Sequence, residues 1–187
     1  MRVVAGSAGG MPLFVPKTDI RPTMDRVKAA IFSSLGEKIT GARVLDLFAG
    51  TGGLGIEALS RGSASAVFVE KNALAAETIK RNFIKTRLQG EVRQMDVFSF
   101  LDRLAKAAAF DVVFADPPYA KIPGDRDFGT ELLRSASLLH ALAPGGVFVL
   151  EKLPHAPFPK GMGWECTRLK KYGATEVAFL RSTTNDA

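Results

Sequence analysis

Short apolar runs alternate with helix-like segments through most of this 187-residue chain. The runs are rich in β-branched and aromatic residues, which favour strands, and the segments between them space their apolar residues three or four positions apart, which favours helices. Such an alternation predicts an α/β fold in which a mostly parallel sheet is covered by helices on both faces. The strands predicted in this series lie at 44–48, 66–70, 91–95, 111–115 and 147–151.

Helices are predicted between these strands. The first spans 54–61, and the second begins after Asn72, whose side chain is a favoured N-cap. The third spans 99–106. The fourth is predicted from apolar residues at positions 132, 136, 139 and 143, and we expect it to end at Pro144-Gly145-Gly146.

The two ends of the chain extend this core, which covers 43–151. Residues 1–36 are predicted to form a small hairpin or flexible arm, followed by a helix that Thr23 caps. Residues 164–181 are predicted to form an antiparallel hairpin that closes the sheet, because no helix separates its two strands. The length of the chain fits a single domain over 1–187.

Composition restricts the partners that we expect. The chain has 25 Lys and Arg against 19 Asp and Glu, and this net charge of +6 favours a polyanionic partner such as nucleic acid. Its apolar runs are far shorter than the ~20 residues of a membrane helix, so no membrane partner is expected. The single cysteine, Cys166, permits no internal disulfide, which favours the cytoplasm. The histidines and this cysteine lack the paired spacing of metal ligands, so no metal is expected.

A glycine loop follows the first predicted strand. The stretch from Gly50 to Gly55 matches GxGxxG, and Glu70 follows at the distance where an acid binds a ribose hydroxyl. A tight strand-to-helix turn is the simpler reading of the same glycines. Asp46 precedes the loop, where its carboxylate would repel a pyrophosphate and attract a ligand that carries an ammonium and a sulfonium group. The loop therefore favours S-adenosylmethionine over a nicotinamide dinucleotide.

The residues expected to bind this cofactor lie in the loop and at the ends of the first three predicted strands. Asp96 is placed to accept a hydrogen bond from the adenine amino group, or to cap the next helix, or both. The full set is Asp46, Phe48, Ala49, Gly50, Thr51, Gly52, Glu70, Lys71, Asp96 and Val97.

A second motif, Asp116-Pro117-Pro118-Tyr119, follows the predicted strand 111–115. The prolines end that strand at the sheet edge where ligands bind in α/β folds. An exocyclic base amine is a poor nucleophile, and the Asp116 carboxylate and Pro117 carbonyl can fix its N–H groups while Tyr119 stacks on the base. We therefore expect all four residues to be catalytic. The alternative is a strand terminator with a surface tyrosine, and the motif alone does not distinguish guanine from adenine.

The ordered motifs together resemble those of the bacterial small-subunit ribosomal RNA guanine-N2 methyltransferase family. They are Arg21-Pro22-Thr23 with Arg26 and Val27, then the stretch 46–52, then the stretch 116–119, and the likeness covers about 1–181. The resemblance implies a Rossmann-like class I methyltransferase with a seven-stranded, mostly parallel sheet and an antiparallel C-terminal strand. It also implies that Arg21, Thr23 and Arg26 bind the substrate, although their spacing alone predicts no more than solvated side chains.

The function that this resemblance implies is methyl transfer from S-adenosylmethionine to the N2 amine of a guanine in ribosomal RNA, within the small subunit, leaving S-adenosylhomocysteine. A monomer is expected. The nearest alternative is an adenine-N6 methyltransferase of DNA or RNA; an inactive RNA-binding module and a nicotinamide oxidoreductase are more distant ones.

Basic residues near the C-terminus offer a further RNA contact or a solvated face. They are Lys152, Lys160, Arg168, Lys170 and Lys171. The N-terminal stretch 6–12, in contrast, carries no charge where members of the family usually carry basic residues.

Overall fold

The computed structural model describes residues 1–15, 25–104, 110–119, 124–154 and 163–183. Within them, seven strands form one sheet: β1 (Arg43–Leu47), β2 (Ser65–Val69), β3 (Glu91–Arg93), β4 (Phe110–Ala115), β5 (Leu142–Lys152), β6 (Trp164–Tyr172) and β7 (Thr175–Ser182). Their order across the sheet is β3-β2-β1-β4-β5-β7-β6. The first five strands are parallel, and β7 runs antiparallel to both of its neighbours. The predicted seven-stranded sheet and its C-terminal hairpin are therefore confirmed.

Helices cover both faces of this sheet, as predicted. They are α1 (Asp25–Leu35), α2 (Gly53–Ser60), α3 (Ala73–Thr86), α4 (Val97–Arg103), α5 (Phe128–Arg134) and α6 (Ala136–Ala141), and a 3₁₀ turn follows α1 at Gly36–Ile39. Alternate strand residues point to opposite faces, so Val44 packs with the α1–α3 layer and Leu45 packs with the α4–α6 layer. Two apolar cores result, one on each side of the sheet.

The N-terminal segment is a small hairpin, which confirms one of the two predicted forms. Arg2 bridges Pro12, and the Val3 amide donates to the Met11 carbonyl at 2.9 Å. Val3 is fully buried, so this hairpin is packed onto the domain and is not a free arm.

A buried ion pair holds the hairpin in place. Lys28 of α1 lies 3.4 Å from Glu57 of α2, and both side chains are fully buried. Glu57 also accepts hydrogen bonds from the Val4 and Ala5 amides at 2.6 and 3.0 Å. Burial lowers the pKa of Lys28, while Glu57 acts in the opposite direction. One carboxylate thus joins α1, α2 and the hairpin.

The predicted helix over 132–143 is wrong in its extent. Its apolar spacing continues through two helices, because Ser135 adopts an extended backbone and caps α6 by accepting a hydrogen bond from the Leu138 amide at 3.2 Å. The Pro144-Gly145-Gly146 stretch lies inside β5 and does not follow a helix. There Leu142 pairs with Phe110 before the register shifts, and this long-range pairing extends the strand.

Candidate active site

The carboxyl ends of the parallel strands open into one cleft of about 920 Å³. Most of the residues predicted to bind the cofactor, and all four of the predicted catalytic residues, line it. They are Asp46, Phe48, Ala49, Gly50, Thr51, Glu70, Lys71, Asp96 and Val97, with Asp116, Pro117, Pro118 and Tyr119. Gly52 is not among the lining residues; with a φ of +80° it forms the turn that precedes α2.

The glycine loop is held by an acidic side chain. The Gly50 amide donates to Glu70 Oε2 at 2.8 Å, and the Asn72 amide donates to the other oxygen at 2.7 Å. Gly50 itself has a φ of +54°, a backbone conformation that glycine adopts without strain. Glu70 is therefore fixed at the rim of the cleft with its carboxylate beside the loop.

Asp46 is the most perturbed acid in the cleft. Its side chain is 2% exposed, and Oδ2 accepts a hydrogen bond from the Gly55 amide in the first turn of α2 at 2.8 Å. Burial raises the pKa of this carboxyl to about 8, and the nearby Asp116 and Glu70 carboxylates add to the increase, while the Gly55 hydrogen bond opposes it. A group of carboxylates in a cleft favours a cationic ligand, because a positive charge relieves their mutual repulsion.

Asp96 caps α4. Its side chain accepts hydrogen bonds from the Phe98 and Ser99 amides at 3.0 and 3.2 Å, so the predicted capping role is confirmed. Asp96 also lines the cleft, so its carboxylate is placed where the predicted contact with a ligand's amino group can form.

An aromatic wall, of which the sequence reading identified only Phe48, forms another side of the cleft. The Phe48 and Phe128 rings meet edge to face with centroids 5.4 Å apart, and Phe128 stacks on Phe98 at 6.3 Å. The Arg126 guanidinium lies 4.7 Å from the Phe98 ring centroid and 4.8 Å from the Phe128 ring centroid, and it is also paired with Glu131. This packing gives the cleft a flat apolar side of the kind that accommodates a planar ring.

The catalytic motif is anchored by two further residues that the sequence reading missed. The Tyr119 hydroxyl lies 2.7 Å from Thr175 Oγ1 and 3.2 Å from Glu151 Oε1, and the Thr175 hydroxyl also donates to Glu151 at 3.0 Å. Burial raises the pKa of Tyr119, so the phenol remains neutral, and its two hydrogen-bond partners restrict the position of the ring. Glu151 lies near the carboxyl end of β5 and follows Leu150, which pairs with Ala115 just before Asp116; that shared sheet edge is the signal that could have identified it.

The predicted substrate residues are only partly within the described part of the chain. Arg21 and Thr23 lie outside the described residues. Arg26 is exposed in the first turn of α1 and does not line the cleft, although its neighbour Val27 does. Burial raises the pKa of Tyr172 at the cleft edge, and the charges of Arg168 and Arg26 act against that increase. Arg26 thus acts electrostatically on Tyr172 and directly precedes Val27, and both of these residues line the cleft.

The described ranges contain no group of three or more His, Cys, Asp or Glu side chains placed to share a metal ion. None of their helices has the length and apolar character that crossing a membrane requires.

Comparison with known proteins decides the family. A family model described as "Conserved hypothetical protein 95" matches residues 1–181. The chain belongs to this family. It is 38% identical over 186 residues to the "Putative rRNA methyltransferase YlbH" of Bacillus subtilis, a match that covers 97% of the chain and 98% of that protein. It is 36% identical over 124 residues to the "Ribosomal RNA small subunit methyltransferase D" of Escherichia coli, covering 65% of the chain and 61% of that protein.

Solved structures agree with this family's fold. The "Putative methyltransferase yhhF" from Escherichia coli matches with a TM-score of 0.81 and 29% identity over 97% of each chain. A Thermus thermophilus 16S rRNA N2 methyltransferase (RsmC), in complex with AdoMet and guanosine, matches with a TM-score of 0.71 and 22% identity over 89% of this chain and 44% of that one. The class I methyltransferase fold that the resemblance implied is therefore confirmed.

Proposed function

We propose that this protein transfers a methyl group from S-adenosylmethionine to the exocyclic N2 amine of a guanine in small-subunit ribosomal RNA. The coarser activity, S-adenosylmethionine-dependent methylation of ribosomal RNA, follows from the family. The atom, the base and the roles of individual residues are the proposed part. The observation that carries the proposal is that the glycine loop and the Asp116–Tyr119 motif line one cleft.

The cleft suits a cofactor that is cationic and carries hydroxyl and amino donors. In a chain whose net charge is +6, its walls collect the carboxylates of Asp46, Glu70 and Asp96. Glu70 would accept from the ribose hydroxyls, Asp96 would accept from the adenine amine, and Asp46 would stabilise the ammonium group. S-adenosylmethionine supplies a methyl carbon that is electrophilic because it is bonded to a positively charged sulfur.

The acceptor amine would be oriented at the other end of the cleft. The Asp116 carboxylate and the Pro117 carbonyl are acceptors on a backbone that two prolines make rigid, and they would fix the two N–H groups of the amine. The nitrogen lone pair would then point toward the cofactor. Tyr119 would stack on the flipped base, and its anchoring by Thr175 keeps the ring in position.

The pairing of two carboxylates favours guanine over adenine. Asp116 and Glu151 both line the cleft near Tyr119. Burial is the main cause of the raised pKa of Tyr119, and the charges of these two carboxylates add to the increase. The Watson–Crick edge of guanine presents N–H donors at both N1 and N2, which two carboxylates can accept. Adenine presents an acceptor at N1, which a carboxylate would repel.

We further propose that the protein acts as a monomer in the bacterial cytoplasm on RNA of the small ribosomal subunit. Arg21, Thr23 and Arg26 are proposed to contact that RNA; the electrostatic effect of Arg26 on Tyr172, which lines the cleft, supports its part in this.

The test is to incubate the protein with small subunits that lack its modification and with cofactor labelled in the methyl group, and then to identify the labelled nucleoside. Label in N2-methylguanosine is expected. Label in adenosine, or in protein, would contradict the proposed acceptor.

Two variants of Asp116 test the catalytic assignment. Asp116→Ala should abolish transfer, and calorimetry should find cofactor affinity nearly unchanged. Asp116→Asn is the matched control, because its amide oxygen retains one acceptor and should leave measurable transfer. Equal loss of cofactor binding and transfer in both variants would indicate a structural role.

A further inference from the structure

A basic surface lies beside the cleft, on the sheet face that α1 covers. We define the α1–β6 surface as Lys38, Arg168, Lys170 and Arg181. The β6–β7 register pairs Arg168 with Phe179 and Lys170 with Val177, so each cation shares a face with an apolar partner of β7. Phe179 and Val177 are buried, at 4% and 0% exposure, while Arg168, Arg181 and Lys38 are exposed. The cations therefore stand over an apolar sheet face.

No carboxylate in the described residues lies within ion-pair distance of these four cations, although Glu165 pairs in register with Arg181. Other basic side chains are neutralised: Arg43 pairs with Asp111, and Lys152 pairs with Glu176 at 2.9 Å. Lys152 is buried in that pair and so does not contribute to the basic cluster expected from the sequence.

Two further residues belong to the basic cluster expected from the sequence. Lys160 falls outside the described residues, and Lys171 pairs in register with Glu176, on the opposite face of the sheet. Among the described members of the cluster read from the sequence, Arg168 and Lys170 belong to the surface.

Local contacts hold two of the cations in position without neutralising them. Arg168 Nη1 donates to the Ser34 carbonyl at 3.5 Å, and Lys170 Nζ donates to the Ser34 hydroxyl at 3.0 Å, both at the C-terminal turn of α1. Lys38 and Arg181 line a shallow depression of about 180 Å³ next to them. The surface is thus a fixed array of positive charge with a concave centre.

The surface is continuous with the rim of the cleft. Tyr172 lines the cleft and follows Lys170 by two residues on the same strand face, which places their Cα atoms about 7 Å apart. Arg168 is two residues further along the strand, and its charge acts on the pKa of Tyr172, which burial raises. A chain that leaves the cleft past Tyr172 therefore meets the cations in succession.

We infer that the α1–β6 surface binds the sugar-phosphate backbone of ribosomal RNA next to the target nucleotide. Phosphates are the partner that an array of unneutralised arginine and lysine side chains recognises without a matching base sequence. The N-terminal stretch 6–12 carries no charge, so it adds no cation to this contact. The inference rests on the proposed function, because it takes the RNA substrate from there.

The test compares two double variants with the same loss of charge. Lys38→Gln/Arg181→Gln removes two cations of the surface that make no hydrogen bond to the described residues. Arg103→Gln/Arg134→Gln is the control, because both arginines are exposed at the ends of α4 and α5, on the opposite face of the sheet. Affinity for an in vitro transcript of small-subunit ribosomal RNA is measured by filter binding as a function of salt concentration, and methyl transfer is measured alongside.

The surface variant should lower the slope of log affinity against log salt by about 1.4, since each lost contact with single-stranded RNA contributes about 0.7. When the wild type and the surface variant have equal affinity for RNA at 1 M salt, this difference in slope corresponds to about a 25-fold weaker affinity of the variant at 0.1 M salt. The control should bind like the wild type, and the cofactor affinity of both variants should be unchanged.

If both double variants bound the transcript with equal affinity while the wild type transferred methyl groups, the inference that this surface binds RNA would be overturned. The proposed function would remain. The inference would also be overturned if the surface variant methylated assembled subunits more weakly than the wild type but bound the transcript with unchanged affinity. The surface would then contact a ribosomal protein and not RNA. If the wild type methylated neither the transcript nor small subunits that lack the modification, the proposed function would fail.

Discussion

Cofactor binding should release a proton from Asp46. Its carboxyl has a pKa of about 8 without ligand, because it is buried and lies near Asp116 and Glu70. A cationic ligand in the cleft would stabilise the ionised form and lower that pKa. At neutral pH the protein therefore has to lose the Asp46 proton before this side chain can contribute its charge to binding.

The magnitude follows from the pKa. At pH 7 about one carboxyl in eleven is ionised before binding, so each cofactor molecule that binds should release about 0.9 proton. The ionised fraction rises about ninefold between pH 6 and pH 7, and the affinity of the wild type should rise by up to the same factor. This window lies below pH ~8, where an α-amino group on the ligand would itself begin to titrate.

The assay is calorimetric titration with S-adenosylmethionine in two buffers of different ionisation enthalpy, repeated with Asp46→Asn. The asparagine keeps an oxygen that can accept from the Gly55 amide, but it has no proton to lose. The variant should release about 0.9 proton fewer at pH 7, and its affinity should be nearly constant from pH 6 to 7. Identical proton release by the two proteins would refute the placement of Asp46 beside the charged part of the cofactor.

Three further substitutions test the fold and the site. Glu57→Ala should lower the unfolding free energy by about 3–5 kcal/mol in chemical denaturation, because it leaves Lys28 as a buried cation without its carboxylate partner. A loss below ~1 kcal/mol would contradict the stabilising role of this buried ion pair. Thr175→Val should lower kcat/KM for RNA by about 2- to 12-fold, the value of the hydrogen bond that Tyr119 loses while its bond to Glu151 remains, with unchanged cofactor affinity; an equal fall in cofactor affinity would contradict that role. Gly55→Ala should destabilise the domain by about 1–3 kcal/mol in thermal unfolding, because the new methyl group collides with a phenylalanine ring of β2, and an unchanged melting temperature would refute that close packing.

The sequence predicts the parts of this fold that local pattern determines. Most of the parallel strands contain a short apolar run, and the exceptions are β3, which is Glu91-Val92-Arg93, and the first half of β5. Side chains such as Asn72 and Asp96 cap helices by accepting hydrogen bonds from amides only two or three residues ahead. The glycine loop and Asp116–Tyr119 could be assigned to one cleft because parallel strands present their carboxyl ends at one sheet edge.

The parts that the sequence does not predict depend on contacts between distant segments. The break at Ser135 interrupts an apolar pattern that continues through it, so spacing predicts one helix where there are two. Thr175 comes to Tyr119 only because β7 inserts next to β5, and the buried Lys28–Glu57 pair joins two helices that share no local motif. Patterns within a segment carry no information about such pairings.

The most direct test of the central claim is a mass-spectrometric map of small-subunit ribosomal RNA from a bacterial strain in which this gene is deleted. The account predicts that one N2-methylguanosine is missing, that the wild-type protein restores it, and that Asp116→Ala does not. If the missing modification is N6-methyladenosine, or if Asp116→Ala restores the guanine mark in full, the proposed chemistry is contradicted.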